Sequence, residues 1–136
     1  MQVWAEDLPN LWLGVSVENA AAAEERIPVL LDVVNVGIRF LSVEPLLEWF
    51  DLLPGLHLID WVIFGCESGP QRRDSQREAM RDMITCCVAE SVPCFVKQIE
   101  IEGRVSKNPA DHWPPGFCKR EFPAVCFPKD VFHGSH

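Results

Sequence analysis

Ile59-Asp60-Trp61-Val62-Ile63-Phe64-Gly65-Cys66-Glu67-Ser68-Gly69-Pro70 is an apolar run that stops in a polar, glycine-flanked loop, and its form decides the fold. Its apolar character is nearly continuous instead of alternating, which is the pattern of a parallel strand covered on both faces. Three more runs share the grammar: Leu11-Trp12-Leu13-Gly14-Val15-Ser16-Val17, Ile38-Arg39-Phe40-Leu41-Ser42-Val43 and Val92-Pro93-Cys94-Phe95-Val96-Lys97. Each ends in polar or turn residues and reads as a buried strand. Such strands, separated by longer segments, give an α/β fold.

Helices fill two of the three gaps. Residues 75–91 open with Ser75-x-x-Glu78, a capping box, and then place Met80, Met83, Ile84, Cys87 and Val88 at helical spacing on one face. Residues 19–35 start at Asn19, an N-cap candidate, and run to Pro28, where the sequence predicts a break and a new turn toward Leu30, Leu31 and Val34. The third gap, Glu44 to Leu58, carries Pro45, Pro54 and Gly55 and has room for a helical turn or two. No internal repeat of fixed period is present.

The chain has 136 residues, 48% of them hydrophobic, and its 12 Lys+Arg against 20 Asp+Glu leave a net charge of −8. That balance suits one folded domain and argues against sequence-indifferent binding to a phosphate backbone, which needs clustered cations. No apolar run approaches the ~20 residues of a membrane span. The start, Met1 to Asp7, lacks a signal peptide's basic and apolar regions, so the expected location is the cytoplasm. Cys66, Cys86, Cys87, Cys94, Cys118 and Cys126 should then be thiols, and their spacing reproduces no zinc knuckle or redox motif. No metal site is expected.

Residues 99–136 change character. Pro109, Pro114, Pro115, Pro123 and Pro128 interleave with Trp113, Phe117, Phe122, Phe127 and Phe132, so this stretch reads as an irregular, ordered wrap on a body formed by residues 1–98. Lys119-Arg120 beside Phe117 and Phe122 has the form of a nucleic-acid patch. In an acidic chain, aromatics that anchor the tail are the better account.

In parallel α/β proteins a ligand lies beyond the carboxyl ends of the strands. Here those ends offer Ser16 and Glu18, Ser42 and Glu44, Gly65 with Glu67 and Ser68, and Lys97 with Gln98. Carboxylates and hydroxyls with one Lys on a common rim suit a ligand that carries an amine and hydroxyls together with a carboxylate or phosphate. Each residue also has a structural reading: Ser16 and Ser42 as small residues, Glu18 at a helix start, Glu44 as a carboxylate satisfied between apolar segments. Lys97 either snorkels or is placed for an anion, and we take placement. Arg72 and Arg73 either clamp an anion or form a solvated charge run. There is no phosphate loop, no Gly-x-Gly-x-x-Gly, no His-Glu-x-x-His and no nucleophile elbow, and Asp111-His112 is the one close acid–imidazole pair.

Taken in order, Leu13 to Glu18, Phe40 to Leu47, Trp61 to Gly69, Phe95 to Gln98 and Arg120 to Pro123 resemble the C-terminal half of the phage Gp-thirty-seven/Gp-sixty-eight-like family, over about residues 8–124. That family is radical-SAM-like, similar to spore photoproduct lyase type enzymes. The resemblance implies a parallel-stranded half of a six-fold βα partial TIM barrel. In the intact protein it implies S-adenosylmethionine and a four-iron four-sulfur cluster used for radical chemistry on an unknown, nucleic-acid-related or other substrate. It implies cofactor-binding roles for Ser16, Glu18, Ser42, Glu44, Gly65, Glu67 and Ser68, and leaves Lys97, Gln98, Arg72 and Arg73 for substrate. The family's Cys-x-x-x-Cys-x-x-Cys loop is missing, so this chain alone is expected to bind no cluster and to need an N-terminal half as partner, or to self-associate. The other class of function is a non-catalytic assembly module that pairs through the sheet edge left open along Leu11 to Val17.

Overall fold

The computed structural model describes residues 7–67, 69 and 76–124. The four apolar runs become β1 (Leu8–Ser16), β2 (Val36–Val43), β3 (Trp61–Phe64) and β4 (Cys94–Val96), joined in one parallel sheet of order β1-β2-β3-β4. The register pairs Gly14 with Phe40 and Ser16 with Ser42, then Phe40 with Trp61 and Ser42 with Ile63, then Ile63 with Phe95. It is a small parallel α/β fold, compatible with part of a βα-type barrel.

Helix α1 (Ala20–Leu31) begins as the sequence predicts: Asn19 is extended and its side chain accepts from Ala22 N. It does not break at Pro28, which lies inside it. Glu24 and Pro28 are both exposed, so the bond lost with the proline N–H lies on the water side, and the helix ends one turn later. Helix α2 (Arg77–Ala89) buries Met80, Met83, Ile84 and Cys87, but Val88 is exposed. Its N-cap is Gln76, without a side-chain capping bond, and the Ser75 of the expected capping box lies outside the described residues. Between β2 and β3 the chain makes only a 3-10 turn, Leu56–Leu58, yet Leu46, Phe50, Leu52 and Leu56 fill the core there as a crossover helix would.

Alternate residues of each strand face opposite sides. Leu41, Val43, Val62, Phe64, Cys94 and Val96 meet the apolar residues of both helices in one core. Among the described residues no helix covers the other side, contrary to the two-sided burial read from the strands. There Trp12, Phe40 and Phe95 pack around Trp61 with centroid distances of 5.7, 5.8 and 6.3 Å, and Phe122 from the tail closes on it at 5.3 Å. Edge-to-face contacts of Trp12 and Phe95 and tilted ones of Phe40 and Phe122 with Trp61 stand in place of that layer.

The tail is more regular than its prolines suggest. Ile99–Ile101 (β5) and Arg104–Ser106 (β6) form an antiparallel hairpin. Its turn residues Glu102 and Gly103 have φ of 49° and 77°, the paired positive values of a tight two-residue hairpin. Beyond it, Val96 N donates to Lys119 O at 2.7 Å and Glu121 N to Cys94 O at 3.0 Å, so the tail hydrogen-bonds along β4.

Candidate functional site at the carboxyl edge of the sheet

The ladder continues one residue past the strands, because Val17 N donates to Ser42 O (2.9 Å), Gly65 N to Val43 O (3.2 Å) and Lys97 N to Phe64 O (2.8 Å). These bonds fix where Glu44, Gly65 and Lys97 leave the sheet. Lys97 Nζ lies 2.8 Å from Glu44 Oε2. Ser42 Oγ donates to Glu44 Oε1 at 3.4 Å, so both carboxylate oxygens have a partner.

Glu44 follows β2 and Lys97 follows β4, with β3 between them. Their side chains cross β3 at Gly65, where an added Cβ would stand 3.1 Å from Glu44 Cδ and 3.2 Å from Oε2. A side chain there would occupy the path of the pair. The glycine thus eases a close approach that a Cβ would crowd. Lys97's side chain is 54% exposed and that of Glu44 23%, so the pair is open to solvent on the lysine side.

The other expected rim residues divide. Glu18 turns to Arg26 of α1 at 3.3 Å, and the same guanidinium donates to Ser16 O at 2.7 Å, so these two residues fasten α1 to β1. Leu47 N donates to Glu18 O at 3.1 Å and Ala20 N to Glu48 Oε2 at 3.0 Å, which ties the loop after β2 to the start of α1. Gln98 is 4% exposed and its Nε2 donates to Cys66 O, so it supports the loop after β3 from below. Glu67 is half-buried. Ser68, Arg72 and Arg73 lie outside the described residues. The structure therefore brings together Ser42, Glu44, Gly65 and Lys97, with Ser16 beside Ser42 in register, and turns Glu18 and Gln98 to other partners.

One residue that the sequence did not single out for the site supports it. Arg120 Nη2 donates to Lys97 O at 3.2 Å and to Lys107 O at 2.8 Å, while its guanidinium lies 4.8 Å from the Phe95 ring and 5.2 Å from that of Trp113. The signal was a cation among tail aromatics, read as a nucleic-acid patch or, in preference, as part of a tail anchored by its aromatics. Surface grooves of about 370, 400 and 350 Å³ lie elsewhere: beside α1, beside the end of α2, and beneath the start of β3.

Among the described residues no group of three or more His, Cys, Asp or Glu side chains is placed to hold a metal ion. No helix among them is long and apolar enough to cross a membrane. The family described as "Protein of unknown function (DUF5131)" matches residues 1–116. The chain belongs to that family. No curated protein and no solved structure matches it.

The DUF5131 assignment replaces the resemblance to the phage Gp-thirty-seven/Gp-sixty-eight-like group, and what depended on that resemblance is corrected with it. Radical chemistry, S-adenosylmethionine and the four-iron four-sulfur cluster have no support in the family description or in any ligand cluster of the described residues. The N-terminal Cys-loop half as partner falls for the same reason. Physically, short apolar runs ending in Ser, Glu or Gly specify parallel strands with open carboxyl ends, a design shared by many chemistries, so their order does not carry a cofactor.

Proposed function

We propose that the DUF5131 chain binds a small polar ligand at the carboxyl edge of its sheet, where Glu44 takes the ligand's amine or hydroxyls, assisted by Ser42, and Lys97 takes its carboxylate or phosphate. The observation that carries this reading is the Glu44–Lys97 contact of 2.8 Å across Gly65. Solvent-exposed ion pairs of this kind stabilise a fold by only ~0.2 to 1 kcal/mol, so separating the two groups costs little. A ligand that inserts between them exchanges one ion pair for two. No residue is assigned a catalytic role.

The body of residues 1–98 carries the site in this reading, and 99–136 is a wrap that braces β4 through Arg120. The free thiols of Cys66, Cys86, Cys87, Cys94 and Cys118 suit the reducing cytoplasm, where we place the protein. Calorimetric titration with phosphoethanolamine, ethanolamine and inorganic phosphate tests the proposal. Phosphoethanolamine should bind more tightly than either half, and Lys97→Met should abolish the difference. Equal weak binding of all three, or unchanged binding to Lys97→Met, removes the pair from the site.

A further inference from the structure

A groove of about 370 Å³ runs between one face of α1 and the loop that follows β2. Ala20, Ala23 and Ile27 form its helix side at i, i+3 and i+7, with Glu24 and Pro28 exposed on the same face. From Ala20 to Pro28 it follows roughly 12 Å of the helix axis. Phe50, 3% exposed, makes the apolar floor, and Asp51 and Pro54 stand exposed on the loop side. Glu48 Oε2 accepts from Ala20 N at 3.0 Å, which ties the loop to α1 where the groove begins.

The walls accept hydrogen bonds and do not donate them. Among the described residues that line the groove the polar side chains are the carboxylates of Glu24 and Asp51, one on each side. Pro28 and Pro54 have no N–H, and Pro28 leaves Glu24 O without its helical donor. Arg26, the cation of α1, turns to Glu18 and Ser16 O instead. On the loop, Trp49 and Leu53 are 55% and 51% exposed, so the apolar surface is wider than a small molecule would cover.

We propose that this groove docks a basic amphipathic helix of a partner protein. The partner's apolar stripe, at i, i+3 or i+4 and i+7, lies against Ala23, Ile27 and Phe50, and Lys or Arg side chains on the two flanks of the stripe reach Glu24 and Asp51. Charge complementarity selects this occupant: an acidic rim in a chain of net charge −8 attracts a cationic helix and repels an anionic lipid surface.

The test titrates the isotopically labelled full chain with a synthetic Leu/Lys helix of about 18 residues, or five turns, with its leucines on one face. Three further probes are a peptide of the same composition in scrambled order, one with Glu in place of Lys, and n-octylamine. Backbone amide shifts should gather at residues 20–31 and 48–55 with the Leu/Lys helix, which should bind at least ~10-fold more tightly than any of the other three. Glu24→Lys/Asp51→Lys should weaken that binding by at least ~10-fold. Both substituted residues are exposed, and should the double variant not fold, the wild-type shift map and the other probes decide. Shifts away from the groove, equal binding of the scrambled or acidic peptide, or saturation of the groove by octylamine as readily as by the helix overturns the proposal. So does a groove whose shifts grow with the concentration of the chain alone, since a second copy would then be its occupant.

Discussion

Glu44 Oε2 and Lys97 Nζ stand 2.8 Å apart although the residues are 53 positions apart and follow strands that do not touch each other. Parallel topology brings both to one edge, and Gly65, directly after the strand between, leaves the gap through which they meet. The contact is therefore a property of three strands at once.

Gly65→Ala is the sharpest probe of that geometry. Its Cβ would press on the far end of a flexible glutamate, so global stability should fall by no more than ~1 kcal/mol while Glu44 is pushed aside. A double-mutant cycle of Glu44→Gln and Lys97→Met, read by urea denaturation, should give ~0.5 kcal/mol of coupling in the wild type and close to none in the Gly65→Ala background.

Gly37→Ala and Gly14→Ala should be worse for the fold, and in that order. A Cβ at Gly37 would stand 1.9 Å from the backbone oxygen of Pro9, which cannot yield without moving β1, whereas at Gly14 it meets the Phe40 ring at 2.5 Å. Losses of ~3 and ~2 kcal/mol are expected by chemical denaturation.

Arg120→Ala removes one hydrogen bond and one ring contact that join the tail to the end of β4, at Lys97 O and Phe95, and one of each within the tail, at Lys107 O and Trp113. The variant should lose ~2 kcal/mol, and limited proteolysis should cut first between β6 and residue 120. Cleavage at the wild-type rate in that stretch would show that the aromatic contacts of Phe122 hold the tail unaided.

Burial, and after it the carboxylates of Asp51, Asp82 and Glu90, raises the Cys86 thiol above its ordinary 9.0. As pH rises past that value the unfolded chain releases this proton before the folded one does, so the unfolded state gains and stability falls. The denaturation midpoint of the reduced protein should drop between about pH 8 and about pH 10, and Cys86→Ala should flatten part of that drop.

The sheet was legible because continuous apolar runs such as Trp61 to Phe64 have few other ways to bury themselves, and Asn19 and the Met80-Met83-Ile84-Cys87 stripe marked the helices. Pro28 misled because its effect depends on which side of the helix faces water, which spacing alone does not settle. The β5–β6 hairpin escaped because Glu102-Gly103 is a weaker turn signal than Asn-Gly. At the rim, Glu44 and Lys97 were readable from the strand ends. Their contact was not, since it depends on strand order and on the space above Gly65. Glu18 shows the converse: its structural reading at the start of a helix was the one realised, through Arg26.

The central claim is that the carboxyl edge around Glu44 and Lys97 receives a ligand, and backbone amide shifts during a phosphoethanolamine titration of the isotopically labelled chain test it most directly. Shifts should concentrate at residues 42–46, 63–67 and 95–98, saturate together, and disappear in Glu44→Gln/Lys97→Met. Shifts gathered instead along the groove of Ala23, Ile27 and Phe50 beside α1, or none at saturating ligand, would contradict the claim.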